Sequence, residues 1–186
     1  MSEITPSDLI GFWRAAGPKA WFRKDAAFDA TIRERFEALH HAAARRELEA
    51  WRDTAEGTMG LLLLLDQFPR NLWRGSGHAF ATDPLARDVA RQAVERGFDR
   101  APALKDLRFF FYLPFEHSET LADQDQCVRL TQAGIDEGGD PDDMRWVKIH
   151  RDIILRFGRF PHRNAALARE STAEELAFLA EGGFSG

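Results

Sequence analysis

Apolar residues recur every three or four positions along most of the chain, a spacing that is typical of α-helices. In the segment that follows Asp25, for example, Phe28, Ile32, Phe36 and Leu39 share one apolar stripe, and charged side chains occupy the other faces. No segment shows the alternation with a period of two that marks a half-buried strand. The pattern therefore predicts an all-α protein.

Local signals divide this pattern into separate helices. Thr5 and Asp83 each precede a proline, which is typical of a cap followed by proline in the first helical turn. Ser171 and Glu174 have the spacing of a capping box for a last helix. We expect about eight antiparallel helices with short connections, stacked into a single domain over residues 1–186.

One short phrase occurs twice in the chain. Phe-Pro-Arg-Asn at residues 68–71 follows the apolar run Leu61–Leu65, and Phe-Pro-His-Arg-Asn at residues 160–164 follows the run Ile153–Phe157. Proline removes a backbone donor and clashes with the preceding helical turn, so we expect a helix to end at each Phe-Pro. Because an arginine and an asparagine come directly after each predicted end, polar groups are expected to converge at both places.

Composition and charge argue against several classes of protein. Apolar residues make up 44% and charged residues 30%, as in ordinary globular domains. The net charge of −5 argues against nucleic-acid binding, which depends on the neutralisation of phosphates. The one cysteine, Cys127, allows no disulfide framework and is expected to be a small buried side chain. The first residues carry no secretory pattern, and the run Leu61–Leu65 is far shorter than the roughly 20 residues of a membrane span, so we expect a cytoplasmic protein with no membrane partner.

Three separated motifs carry a resemblance to a known family. Residues 66–71 read DQFPRN, residues 112–119 read YLPFEHSE with Gln124 following, and residues 159–164 read RFPHRN. Together with residues 21–36, these motifs resemble those of the DUF924 family of bacterial proteins over almost the whole chain. The resemblance implies a TPR-like fold, similar to tetratricopeptide superhelices. It implies no activity, because the family is defined as one of unknown function.

The middle motif places chemistry at a predicted helix start. Pro114 ends one segment, and Ser118 is a natural cap for the next, so His117 and Glu119 lie around a helix N-terminus. The helix dipole stabilises a carboxylate there, so Glu119 is either a first-turn residue or part of a site. An imidazolium is disfavoured in the same place, so we expect His117 to be neutral and suited to a hydrogen bond, a metal ligand or proton transfer.

The two Phe-Pro phrases each allow a structural and a functional interpretation. Asp66 and Arg70 lie four residues apart, which allows an intrahelical ion pair, and the same pair can hold Arg70 towards a ligand. Arg159, His162 and Arg163 form either an anion cradle or a set of cations that bind the last carbonyls of a helix.

The remaining histidines carry weaker signals. His150 falls on an apolar stripe, so we expect a hydrogen-bonded core residue, whereas His40 and His41 are expected on the surface.

A metal site is an alternative use of the histidines. The ligands would come from His117, His150 and His162, with Glu119 or Asp66. No pair of these residues has the local spacing of a helical metal motif, so we expect no metal. The sequence also lacks a P-loop, a dinucleotide fingerprint and a nucleophile elbow, so we expect no cofactor.

These observations favour a binding protein for an anionic small molecule or a peptide carboxylate. The candidate ligand-binding residues are Arg70, Asn71, His117, Arg159, His162, Arg163 and Asn164. One alternative is a hydrolase, with or without a metal, that uses His117 with Glu119 or Asp66. The other alternative is a TPR-like interaction scaffold in which the polar motifs hold helix corners together. The sequence leaves the oligomeric state open.

Overall fold

The computed structural model of the chain describes residues 4–184. Every regular element in that range is helical, which confirms the predicted all-α class. Backbone contacts divide these residues into a first unit, residues 4–74 with 78–114, and a second unit, residues 75–77 with 115–184. None of the helices in the described range has the length and apolar character needed to cross a bilayer.

The first unit contains six α-helices and several short 3₁₀ helices. The α-helices are α1 (Pro6–Ala16), α2 (Pro18–Trp21), α3 (Ala26–Ala44), α4 (Ala55–Leu62), α5 (Phe68–Leu72) and α6 (Asp83–Glu95). The 3₁₀ helices are Glu49–Asp53, Gly77–Phe80, of which the first residue belongs to the second unit, Phe98–Arg100 and Pro102–Phe111.

The second unit follows along the chain. Its elements are α7 (Leu113–Glu116), of which the first two residues belong to the first unit, α8 (Leu121–Asp136), α9 (Asp143–Phe157), a 3₁₀ helix (Pro161–Arg163) and α10 (Ala173–Ala180).

The predicted starts of α1 and α3 are confirmed. The Thr5 hydroxyl accepts the backbone N–H of Asp8, and the Asp8 carboxylate accepts the N–H of Thr5 in return, which completes a capping box. At α3, the Asp25 carboxylate accepts the N–H groups of Ala27 and Phe28. Both caps satisfy donors that have no partner inside the helix, so local sequence is sufficient to position them.

The apolar helix before the first Phe-Pro does not end there, contrary to the prediction. α4 continues through one π-helical turn, Leu63–Gln67, directly into α5. In this wider turn the Phe68 N–H donates to the carbonyl five residues back, and Pro69 has no N–H to donate. The carbonyls of Leu64 and Leu65 therefore lack their usual helical partners.

Side chains from other elements of the first unit satisfy these two carbonyls. His40 Nδ1 lies 2.7 Å from the Leu64 oxygen, and the Thr82 hydroxyl donates to the Leu65 oxygen at 2.6 Å. Because a carbonyl oxygen only accepts, His40 carries its proton on Nδ1, and burial lowers its pKa. The prediction that His40 lies on the surface is thus wrong, since its exposed fraction is 4%, whereas His41 is exposed as predicted.

Aromatic packing holds the continuous helix in place. The Phe68 ring stacks on Phe36 with centroids 5.1 Å apart, and it lies 5.6 Å from Trp13. All three side chains are fully buried. This packing stabilises the helix across the π turn, which proline by itself would disfavour.

The second Phe-Pro phrase follows a true helix end. Gly158 adopts a left-handed conformation, with φ of 68°, and its N–H donates to the Ile154 carbonyl at 2.8 Å. Phe160 then leads into the 3₁₀ turn Pro161–Arg163. The two phrases therefore differ because only the second is preceded by a glycine that can terminate the helix.

The second unit has a small apolar core. Ile153, Ile154 and Phe160 are its buried residues, and Phe178 and Phe184 are among the partly buried side chains packed against them. On α8 of the same unit, the Cys127 thiol is buried, and burial raises its pKa, so it is a small apolar side chain as predicted.

The last helix begins one residue later than predicted. The capping box is formed by Thr172 and Glu175 and not by Ser171 and Glu174. Glu175 is buried, so the choice between two adjacent carboxylates depends on tertiary contacts and not on spacing.

Candidate functional site

The turn that carries His117 is held by buried side chains. Gln124 Nε2 donates to the carbonyls of Glu116, at 2.6 Å, and Ser118, at 2.7 Å. The carbonyl between them, that of His117, accepts a hydrogen bond from Arg163 Nη1 at 3.0 Å. Three successive carbonyls are thus bound by two side chains, so the backbone that positions His117 is preorganised.

Ser118 organises the approach to α8 but is not its cap residue. Its hydroxyl accepts the Thr120 N–H at 3.2 Å and donates to the Asp123 carboxylate at 2.7 Å. The helix begins at Leu121 with Thr120 at the N-cap position, so Glu119 lies outside the first turn. The interpretation of Glu119 as a first-turn residue is therefore wrong.

Glu119 instead connects its turn to the second Phe-Pro phrase. Its carboxylate accepts the Phe160 N–H at 2.8 Å and two hydrogen bonds from Arg169, at 2.7 and 3.0 Å. Burial raises the pKa of this carboxyl, but the hydrogen bonds from Arg169 and Phe160 outweigh burial, and the net pKa is lowered. Glu119 is therefore ionised at neutral pH and engaged in holding the chain.

Arg159 and Asn164 share one carboxylate. Arg159 donates to both oxygens of Glu175, at 2.6 and 2.8 Å, and Asn164 Nδ2 donates to Glu175 at 3.2 Å and to Ser171 at 3.1 Å. The hydrogen bond from Arg159 is the largest cause that lowers the pKa of Glu175, to about 2. Arg169 in turn donates to the Asn164 side-chain oxygen at 3.0 Å. Arg159 and Asn164, two of the candidate ligand residues, thus connect the second Phe-Pro phrase to the start of α10.

Two imidazoles and one guanidinium lie around Phe160, and a third imidazole lies beside one of them. The centroid of the Phe160 ring lies 5.6 Å from that of His150 and 5.5 Å from that of His162, and the Arg163 guanidinium lies 4.4 Å from it. The His117 ring centroid is 6.4 Å from that of His150. We call His117, His150, His162 and Arg163 the histidine cluster. Arg163 and His150 are buried, whereas His117 and His162 are partly exposed.

His150 is a neutral hydrogen-bonding residue at the buried side of the cluster. Its Nδ1 lies 2.9 Å from the Trp146 carbonyl and 3.0 Å from the Glu116 carboxylate. Because the carbonyl only accepts, Nδ1 carries the proton and Nε2 is left as an acceptor. Burial lowers the pKa of His150 to about 3, and the positive potential of the three other cluster members adds to this. The structure agrees with the expected core histidine.

The first Phe-Pro phrase forms a charged group within the first unit. Arg70 lies 3.4 Å from the Asp66 carboxylate and donates to both oxygens of Asp83 at 3.1 and 3.2 Å. The predicted ion pair between Asp66 and Arg70 is present, and a second buried carboxylate joins it. Asn71 donates to Asp29 at 2.8 Å, and both residues line an open concavity of about 540 Å³.

The histidines do not form a metal centre within residues 4–184. That part of the chain contains no group of three or more His, Cys, Asp or Glu side chains that could hold a metal ion. The set of His117, His150 and His162 with Glu119 or Asp66 therefore does not form the arrangement that the metal alternative requires.

Sequence reasoning missed several residues of the second unit. Glu116 was not among the candidate residues, yet it is buried and its carboxylate lies 3.0 Å from His150 Nδ1. Arg169 and Phe184 carried no signal, because each acts on a partner far along the chain. Glu175 did have a sequence signal, because it lies three residues after Thr172, as a capping box requires. The adjacent Glu174 has the same spacing from Ser171, so the sequence does not distinguish the two glutamates.

The fold and the motifs together define a known class of all-helical protein. The model of the family described as "Bacterial protein of unknown function (DUF924)" matches residues 9–183, so the chain belongs to this family and the resemblance seen in the sequence is confirmed. The chain is also similar to a solved structure, that of the protein of unknown function ATU0120 from Agrobacterium tumefaciens. The two share 52% identity with a TM-score of 0.88, over 95% of this chain and 97% of that chain. The comparison with curated proteins finds no match. These relatives establish the family and assign no activity.

Proposed function

We propose that the chain binds a small anion, with a carboxylate or phosphate group, at the histidine cluster. The observation that supports this proposal most directly is that two imidazoles and a buried guanidinium lie around the Phe160 ring, with the third imidazole, His117, next to His150. Imidazole N–H groups and guanidinium groups are suitable donors to carboxylate and phosphate oxygens.

The charges around the cluster support an anionic ligand. Burial is the main cause that lowers the pKa of His150, and the positive potential of His117, Arg163 and His162 lowers it further. Of the carboxylates nearby, Glu119 is bound by Arg169, and the Glu116 carboxylate lies 3.0 Å from His150 Nδ1. A bound anion would compensate the positive potential.

The predicted ligand residues contribute unequally to this proposal. Arg159 and Asn164 already share the Glu175 carboxylate, and Arg70 and Asn71 are bound to acidic residues of the first unit. The proposal assigns direct contact to His117 and His162 because their side chains are partly exposed, and positive charge to the buried Arg163.

Titration with inorganic phosphate, acetate and succinate tests the proposal. A ligand at 100 times its dissociation constant adds about 2.7 kcal/mol, which corresponds to a rise in melting temperature of roughly 5 to 10 °C for a chain of this size. We expect His162→Gln to weaken binding about tenfold, a change of about 1.4 kcal/mol, because it removes one donor of the cluster. His41→Gln, an exposed histidine of α3, is the matched control and should leave binding unchanged. Equal affinities for both variants, or no stabilisation by any of these anions, would contradict the proposal.

Acid–base catalysis is a second candidate, favoured by the contact between Glu116 and His150. The Trp146 carbonyl accepts the Nδ1 proton of His150, and the Glu116 carboxylate lies 3.0 Å from the same nitrogen, so Nε2 is left as a proton acceptor, as in many general bases. Hydrolysis of generic ester and phosphoester substrates would test this function, with loss of activity in His150→Gln and none in His41→Gln. Activity that survives His150→Gln would exclude the role of that imidazole.

A further inference from the structure

The chain turns back after α10 and places an aromatic ring on the histidine cluster. The Phe184 ring centroid lies 4.5 Å from that of His150 and 5.3 Å from that of His162. The two pairs of rings are inclined by 63° and 78°, as in edge-to-face contacts. One side chain thus covers a buried and a partly exposed member of the cluster.

Two glycines make this return of the chain possible. Gly182 has a φ of 82°, which side chains other than glycine rarely adopt. A Cβ atom on Gly183 would lie 2.5 Å from the Phe178 carbonyl oxygen and 2.6 Å from the Phe178 ring. The close approach to Phe178 therefore requires glycine, and it directs Phe184 towards the histidines.

The covering segment is held by backbone hydrogen bonds at Gly182 and Gly183 and by the packing of Phe184 against the small apolar core. Its backbone hydrogen bonds run from the Gly182 N–H to Leu179, at 3.3 Å, and from the Gly183 N–H to Phe178, at 2.9 Å. Phe184 itself is partly exposed, and Gly182 is exposed. Segments with few hydrogen bonds and little buried surface open locally without unfolding of the rest of the protein.

We propose that Phe184 is a displaceable lid over the histidine cluster, and that its movement controls access to His150 and His162. The part of this proposal that concerns ligand entry rests on the proposed anion site. A lid that is closed for more than nine-tenths of the time lowers the apparent affinity of a ligand by about tenfold, because only the open fraction binds.

Access to the imidazoles can be measured without any ligand. Diethyl pyrocarbonate acylates neutral imidazole nitrogens, and peptide mass spectrometry gives the rate at each histidine. We expect Phe184→Ala to raise the rate at His150 and His162 about tenfold. Gly183→Ala should have the same effect, because it retains the Phe184 ring but disrupts the turn that places it.

A matched control separates the lid from general loosening of the second unit. Gly139, which follows α8, has a carbonyl oxygen 2.9 Å from its ideal Cβ position, so Gly139→Ala introduces a similar close contact at another helix end. Gly139→Ala should leave the labelling of His150 unchanged. Unchanged labelling in both Phe184→Ala and Gly183→Ala, or an equal increase in Gly139→Ala, would overturn the proposal.

Titration with inorganic phosphate distinguishes this proposal from the proposed function. If both hold, Phe184→Ala and Gly183→Ala bind phosphate about tenfold more tightly than the parent. Faster labelling without phosphate binding in any variant would support the lid and refute the phosphate site. Tight phosphate binding by the parent with unchanged labelling in the variants would support the site and refute the lid.

Discussion

Acidification is expected to destabilise the protein through His150. Burial and the positive cluster members lower the pKa of this imidazole to about 3, whereas the pKa of histidine in an unfolded chain is about 6.5. Between these two values the unfolded state binds a proton that the folded state excludes. The free energy of unfolding therefore falls as the pH decreases from about 6.5 towards 3.

The size of this loss in stability follows from the difference between the folded and unfolded pKa values of His150. Each pH unit in that interval corresponds to about 1.36 kcal/mol, so acidification from pH 6.5 to pH 4 should cost about 3 kcal/mol. Urea unfolding of the parent and of His150→Gln between pH 7 and pH 4 measures the difference, because glutamine retains a donor for Trp146 and does not titrate. Glu175 and Asp143, whose lowered and raised pKa values act on stability with opposite signs, are present in both proteins and cancel. His41→Gln should follow the parent.

A free energy of unfolding that falls as the pH rises would refute this prediction. Glu116 lies 3.0 Å from His150, and a charged pair between them would raise the folded pKa above 6.5. The parent would then lose stability as the pH increases from 6.5 towards 8. That result, or parallel curves for the parent and His150→Gln, would show that His150 is not held neutral.

Three further substitutions test the packing of the first unit, a fourth on α8 serves as a control, and all four are measured by urea unfolding. Arg70→Met should destabilise by about 3 to 5 kcal/mol, because two buried carboxylates lose the guanidinium between them, whereas the exposed Arg129→Met should change stability by less than about 0.5 kcal/mol. Gly57→Ala should cost about 1 to 3 kcal/mol, since its Cβ would lie 2.1 Å from the Trp51 carbonyl oxygen. Gly11→Ala on α1 meets nothing within 4 Å and should stabilise by about 0.5 to 1 kcal/mol. Similar effects of the two glycine substitutions, or of the two arginine substitutions, would contradict these assignments.

The features that were predicted well depend on neighbours in the sequence. Thr5 and Asp25 cap helices because their side chains reach backbone donors two or three residues ahead. The predicted helix end before the second Phe-Pro is present, because Gly158 adopts a left-handed backbone conformation there. The helical class likewise follows from a period that is present in almost every segment.

The features that were missed depend on what lies across the fold. Proline at residue 69 predicts a helix end, yet the helix continues because His40 and Thr82 bind the carbonyls that the π turn and the proline leave without helical donors. The capping box of α10 was placed one residue early because Ser171 and Glu174 satisfy the same spacing as the true pair.

For the candidate site, the sequence singled out the motifs but not the partners of their residues. His117, His162 and Arg163 were selected because they belong to motifs with unusual polar residues next to proline, and the structure places them near one another, but their role in binding stays a prediction. The sequence carried no signal that shows whether a given arginine or glutamate is already bound to another side chain.

Sequence by itself determined the helical class, the family and the positions of most helix ends, because these follow from periodicity, motifs and bonds between near neighbours. Tertiary structure alone decided which polar groups are engaged, that His150 is held neutral against Glu116, and that Phe184 covers it. The physical reason is that desolvation and ion pairing depend on which distant side chains share a volume, and that information is not contained in the spacing of residues along the chain.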